Sequence, residues 1–276
     1  MPEGAPPDLI VIPARYGSQR LPGKPLIPIA GRTLLARVVE IAREGALRVG
    51  NADVVVATDD ARILEHANEL GCEAVLTDPA ISSGSGRAWA VARDRANAPP
   101  IVINLQGDAP FAQPAMIAAI IAALRGSSCG AATPVVQLSW EALDALRQHK
   151  QRSPFSGTTV ARHADGRAFW FSKTVIPAIR SEAQLRETVP LSPIFRHIGL
   201  YAYRFETLAR FEAAAPTSYE QLEGLEQLRL LETGEDILTV PVATSPHAMS
   251  GIDTQDDVAM AERLIADHGE PRLAWA

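Results

Sequence analysis

Three cations, Arg15, Arg20 and Lys24, fall within ten residues of a loop that also holds Gly17, Pro22, Gly23 and Pro25. Glycines let backbone N–H groups turn toward one point, and fixed positive charges beside them suit a polyphosphate better than a neutral ligand. Two carboxylates elsewhere could complete such a site. Asp108 stands in Gln-Gly-Asp-Ala-Pro, directly after the apolar run Ile101 to Leu105, with Gly107 removing side-chain bulk beside it. A short acidic chain there can take a magnesium ion, which prefers one or two carboxylates together with phosphate oxygens and water. Asp253 could do the same from a remote part of the chain, although an Asp followed three residues later by Asp256 is also a helix N-cap pattern.

The spacing excludes the two common nucleotide loops. A P-loop needs G-x-x-x-x-G-K followed by Ser or Thr, whereas five residues separate Gly17 from Gly23 and Pro25 follows Lys24. A dinucleotide fingerprint needs G-x-G-x-x-G directly after its strand, which Gly17 and Gly23 do not supply.

The elements that must carry these residues alternate. Asp8 to Pro13, Asp53 to Thr58, Glu73 to Thr77 and Ile101 to Leu105 read as strands, and helical patterns fall at Thr33 to Glu44, Asp60 to Leu70 and Arg87 to Arg95. Asp59 or Asp60 can cap the second helix and Gly71 can close it. Ligands of an open parallel sheet bind outside the carboxyl ends of its strands. There the sequence places Arg15 to Lys24, Thr58 to Asp60, Ser82 to Arg87 and Gln106 to Asp108. Beyond about residue 150 the pattern turns antiparallel: Thr158 to Arg162 and Arg167 to Phe171 flank an Asp-Gly turn signal. A strand over Arg196 to Arg204 follows. Tyr219 to Glu232 reads as one helix with Leu222, Leu225, Leu228 and Leu231 near one face. Ile237 to Val242 is a strand and Asp253 to His268 a closing helix.

At 276 residues, 47% hydrophobic and 21% charged, the chain has ample material for a core. A net charge of −6 argues against a general nucleic-acid binder, which accumulates Lys and Arg, so a polyanion must be captured locally. Cys72 and Cys129 fit neither a disulfide framework nor a zinc site, and a reducing cytoplasm is the expected home. The first residues lack the basic and apolar regions of an export signal, and the longest apolar run, Ala115 to Leu124, is too short to span a bilayer.

Over nearly its whole length the chain resembles the 3-deoxy-manno-octulosonate (Kdo) cytidylyltransferases, also called CMP-Kdo synthetases. The matching segments run from Ile12 to Leu26, Val56 to Asp60, Ser83 to Arg87, Asn104 to Asp108, Arg196 to Arg204, Leu225 to Glu232 and Gly251 to Thr254. The resemblance implies an α/β nucleotidyltransferase fold, a Rossmann-like sandwich with a mainly parallel central sheet. It implies a single domain over 1–276, with roughly 150–215 forming a smaller antiparallel lobe for acceptor binding and dimerisation. It implies an enzyme that couples CTP to Kdo, giving CMP-Kdo and pyrophosphate for lipopolysaccharide biosynthesis, with Mg2+ as cofactor and a homodimer as the assembly. By residue, Arg15 and Lys24 would bind the triphosphate, Ser85, Arg87 and Gln106 would lie around the nucleotide, and Asp108 and Asp253 would hold the magnesium. Lys173, His197, Tyr201, Glu226 and Gln227 would face the sugar acid. Without the resemblance, His197 reads as a core histidine and Tyr201 as a packing residue with a bonded hydroxyl.

Three positions depart from the family's usual pattern. Gly86 stands where an acidic residue is usual, Ala109 stands for a Glu, and Lys173 for an Arg able to make a planar bidentate contact with a carboxylate. The segment Arg152 to Ser156 also departs. These leave a different anionic acceptor, such as a phosphonate, as the alternative substrate for the same chemistry. A catalytically silent nucleotide-binding regulator is a further alternative, against which the presence of Asp108 and Asp253 counts.

Overall fold

A computed structural model describes residues 4–17, 20–247, 249 and 251–271. The chain divides into two compact units, the first built from Met1–Ala122, Leu200–Glu212 and Thr244–Ala276, the second from Ala123–Gly199 and Ala213–Ala243.

The first unit opens with β1 (Asp8–Ala14), the small hairpin β2 (Pro28–Ile29) and β3 (Arg32–Thr33), then α1 (Leu34–Val49), β4 (Ala52–Thr58), α2 (Ala61–Glu69), β5 (Glu73–Leu76), α3 (Gly84–Arg93), β6 (Ile101–Leu105) and α4 (Pro114–Arg125). β5, β4, β1 and β6 lie side by side and parallel. β1 and β6 read as unbroken apolar runs because helices cover both faces of such a sheet, and Leu9 to Ile12 and Ile101 to Ile103 are buried. Thr33 caps α1 by accepting from the Ala36 N–H, and Asp60 caps α2 by accepting from Arg62. Gly71, at φ 68°, closes α2 as expected of a left-handed C′ residue.

The second unit adds β7 (Ala131–Ser139), α5 (Trp140–Arg152), β8 (Thr159–Arg162), β9 (Ala168–Ser172), α6 (Glu182–Thr188) and β10 (Leu191–His197). The chain returns to the first unit as β11 (Leu200–Arg204), antiparallel to β6, and α7 (Phe205–Ala213). It supplies α8 (Ser218–Glu223), α9 (Leu228–Glu232) and β12 (Ile237–Pro241) to the second unit, and α10 (Gln255–His268) belongs to the first. In the second unit β7, β10, β8 and β9 are antiparallel neighbours and β12 runs parallel to β7. Its core gathers Val136, Leu138, Trp140, Leu143 and Ile194. The architecture is the expected α/β fold, mainly parallel at its centre with an antiparallel part.

Two of the expected elements are each divided in the structure. The run Arg196 to Arg204 is two strands, broken at Ile198 and Gly199, so His197 ends β10 while Tyr201 lies in β11. Gly199 falls at the break, where an isolated glycine in a strand pattern can mark an interruption. The single helix over Tyr219 to Glu232 is likewise two, because Gly224 adopts φ 62° and stops α8. Leu225 and Leu228 are buried as the pattern required, whereas Leu222 is 79% exposed. The break leaves Glu226 and Gln227 on the connection between α8 and α9. Among the described residues, no helix is long and apolar enough to cross a membrane.

Candidate active site

The loop leaving β1 folds back on itself. The Gly23 N–H donates to the Tyr16 carbonyl at 3.0 Å, and Gly23 sits at φ 69° with the Tyr16 ring 3.2 Å from where a Cβ would stand. That turn starts a single 3-10 turn at Lys24–Leu26 and directs Lys24 inward. The Lys24 ammonium donates to Asp108 Oδ2 at 2.9 Å and to Asp253 Oδ1 at 3.2 Å. Arg20 pairs with the other oxygen of Asp253 at 3.0 Å from a more exposed position. Arg15 donates to the Ser82 carbonyl at 3.0 Å, tying this loop to the one before α3. Ser18 and Gln19, within the matched motif, lie outside the described residues.

Small residues bring the two aspartates together. A Cβ on Gly107 would stand 2.3 Å from the Pro13 carbonyl oxygen, so only glycine lets the chain leaving β6 cross the end of β1 at this distance. Ile252 donates its N–H to the Asp108 carbonyl at 2.8 Å. A Cβ on Gly251 would lie 2.8 Å from Asp108 Oδ1. The helix-cap role considered for Asp253 belongs to Thr254, which makes a capping box with Asp257. Asp257 also accepts the Asp253 N–H at 2.9 Å, leaving the Asp253 carboxylate to face Lys24 and Arg20.

The third loop is more structural than its sequence implied. α3 starts at Gly84, earlier than the expected Arg87, because Ser83 caps it by accepting from the Gly86 N–H at 2.9 Å. Ser85 and Arg87 are fully buried. Arg87 donates to Asp59 at 2.7 Å, to the Ile81 carbonyl at 3.0 Å and to Thr77, and burial lowers its pKa against the opposing pull of Asp59. It therefore ties α3 to the loops after β4 and β5. A Cβ on Gly86 would meet Ser83 Oγ at 2.8 Å and Glu212 Oε2 at 3.2 Å, so a carboxylate from α7 reaches the spot where the family usually carries an acid. Gln106 lies beside Gly84, as does Asn104, a fully buried amide with no hydrogen-bond partner among the described residues. Sequence reasoning did not single out Asn104, Gly251 or Glu212.

Of the acceptor candidates, Lys173, His197, Glu226 and Gln227 belong to the second unit and Tyr201 to the first. Gln227 is buried and its Nε2 has no acceptor among the described residues. His197 keeps some exposure, but its Nε2 is shielded and its ring meets Phe171 edge-on at 5.3 Å. Burial, then the charges of Lys173 and Arg196, push its pKa down to about 3, so the imidazole is neutral at physiological pH. Lys173 is lowered too, by burial, with Glu223 opposing. Tyr201 is buried and stacks on Tyr203 at 5.6 Å.

In the first unit, two carboxylates from remote positions converge on one cation, with two arginines at the rim. Such an arrangement can neutralise a phosphate chain and offer hard oxygen ligands to a divalent ion. The comparisons with known proteins point the same way. A family model described as cytidylyltransferase matches residues 9–237. The chain is 41% identical over 263 residues to a 3-deoxy-manno-octulosonate cytidylyltransferase of Maricaulis maris, covering 95% of this chain and 98% of that one. It is also 41% identical to a protein of the same name from Methylococcus capsulatus, covering 93% of this chain and 96% of that one. A solved structure of a CMP:2-keto-3-deoxy-manno-octonic acid synthetase in complex with CTP superposes with a TM-score of 0.80 at 32% identity, covering 95% and 99% of the two chains. The 4-diphosphocytidyl-2C-methyl-D-erythritol synthase of Anaerococcus prevotii, at TM-score 0.58 and 13% identity, shares the fold alone.

Proposed function

The chain belongs to the 3-deoxy-manno-octulosonate cytidylyltransferases, and from that premise we propose that it joins CTP to Kdo, giving CMP-Kdo and pyrophosphate. One observation carries the site assignment: Lys24, Asp108 and Asp253, far apart in sequence, meet within 3.2 Å of one ammonium. The relatives do not favour a phosphonate acceptor or a silent regulator.

The acceptor's anomeric hydroxyl attacks the α-phosphorus, one P–O bond forms, and the bond to pyrophosphate breaks. Such a reaction needs alignment and charge neutralisation more than covalent help from the protein. Lys24 and Arg15, with Arg20, neutralise the triphosphate and the departing pyrophosphate. Asp108 and Asp253 offer only oxygen donors, which suits a divalent metal, and magnesium is the ion we propose. Bound there, it would offset charge on the phosphates and lower the pKa of the attacking hydroxyl. Gln106 serves the nucleotide side, and the buried Ser85 and Arg87 shape it from beneath, Arg87 through Asp59 and Thr77.

For the acceptor, His197 offers an uncharged imidazole, which suits the hydroxyls of a polyhydroxylated acid. The buried Gln227 amide supplies a donor that a substrate oxygen can satisfy. Lys173 offers the charge for the carboxylate, and Tyr201 and Glu226 complete the set. A cytoplasmic homodimer is the form we propose for the enzyme. The direct test is pyrophosphate release from CTP with Kdo, with ATP as nucleotide control and other sugar acids and a small phosphonate as acceptor controls. Turnover with CTP and Kdo supports the proposal, and a strong preference for the phosphonate overturns its acceptor.

A further inference from the structure

Lys150, in the last turn of α5, does not reach for a carboxylate. Its ammonium donates to the carbonyls of Ser156 at 2.6 Å, Gly157 at 2.8 Å and Pro154 at 3.4 Å, and to the carbonyl of Lys173. From the other side, Glu223 at the end of α8 accepts the backbone N–H of Lys173 and the hydroxyl of Ser172, both at 2.8 Å. The two peptide groups flanking the Lys173 Cα are thus held by two charged side chains from different helices, all within the second unit. Hydrogen bonds with one charged partner are roughly twice as strong as neutral ones. Burial lowers the pKa of Lys150, as do the neighbouring Lys173 and Arg196, while Glu223 opposes them. An ammonium placed there at such a cost indicates that the carbonyls it gathers must stay where they are.

The grip falls on a residue whose own side chain is poorly directional. An arginine fork orients itself on a carboxylate, whereas a lysine ammonium on a four-carbon stem depends on its backbone for aim. We propose that Lys150 and Glu223 are positioning residues that fix the Lys173 backbone so that its ammonium meets the acceptor's carboxylate. The inference rests on the proposed role of Lys173 as an acceptor contact.

A double-mutant cycle separates the two. Lys173→Met should raise the KM for Kdo and leave the KM for CTP in place, and no change in the Kdo KM would remove the acceptor role of Lys173 itself. Lys150→Met should raise the Kdo KM about ten-fold, about 1.4 kcal/mol, in the Lys173 background. It should have less than a two-fold further effect once Lys173 is Met, because contacts acting through one group are not additive. An equal rise in both backgrounds, or none in the first while Lys173→Met does raise it, overturns the positioning role. Should Lys150→Met fail to fold, Glu223→Gln in the same cycle is read against the same two outcomes.

Discussion

Ile252 donates its backbone N–H to the carbonyl of Asp108 at 2.8 Å, a bond that spans 144 positions of sequence and sets Asp253 beside Asp108. Its neighbour Gly251 lies so close that a Cβ would stand 2.8 Å from Asp108 Oδ1. Gly251→Ala should therefore displace the Asp108 carboxylate while leaving the sheet intact. The expected result is a near-unchanged melting temperature with weaker Mn2+ binding in the presence of CTP, followed by electron paramagnetic resonance. Unaltered Mn2+ affinity would show that the close approach is packing without consequence for the site.

Asp108→Asn keeps the shape of the side chain and removes its charge. Charge stabilisation at a transferring phosphoryl group accounts for a large share of such catalysis, so turnover should fall by roughly 10² to 10³. Lys24 keeps Asp253 as a partner, and the fold should survive. Pyrophosphate release measured with saturating CTP and Kdo decides the matter, and near-normal turnover would remove Asp108 from the catalytic set.

The basic loop was legible because three cations and two glycines in so short a stretch after an apolar strand are rare and local. The βαβ order was legible for a related reason, since apolar runs and caps such as Asp60 and Gly71 mark element ends directly. What escaped depended on three-dimensional neighbours. Asp253 and Asp256 resemble a cap in one dimension, and only the Thr254–Asp257 capping box shows that Asp253 is released from that duty. Arg87 carries a charge that invites a ligand role, but both of its terminal nitrogens are engaged, by Asp59, Thr77 and the Ile81 carbonyl. β7 went unread although Gly126 to Gly130 marks its start, and a glycine within a helical pattern, such as Gly224, does not by itself mark the helix end. Lys150 and Glu223 bear no sequence mark of their task, because backbone carbonyls and N–H groups are the same at every position.

Gln227 offers a test in which stability and function move apart. Its Nε2 is buried without an acceptor among the described residues, an arrangement that costs about 1–3 kcal/mol in a protein interior. Gln227→Leu removes that donor at similar volume, so the chemical-denaturation midpoint should hold or rise. The KM for Kdo should rise at the same time, with the KM for CTP unchanged. A variant that loses stability and keeps its Kdo affinity would mark Gln227 as a structural residue.

His197 links acceptor binding to acid sensitivity. Its folded pKa, about 3, lies well below the ordinary value of 6.5, first through burial and then through repulsion from Lys173 and Arg196. Between these values the unfolded chain takes up a proton that the native protein does not. Stability attributable to this residue is thus complete above about pH 6.5 and is lost as pH falls, at up to about 1.4 kcal/mol per pH unit. Urea midpoints for the wild type and His197→Gln at pH 7.5, 6.5 and 5.5 should diverge toward acid, the wild type falling more steeply. Parallel curves would mean that the native imidazole takes up its proton over the same pH range as the unfolded chain, so that the fold does not hold it neutral below pH 6.5. With the ring neutral throughout, His197 contributes no titration of its own to the Kdo KM between pH 6 and 8. Any acidic limb in that range must then come from CTP, from the acceptor or from another side chain, and His197→Gln should leave its midpoint in place while raising the KM itself.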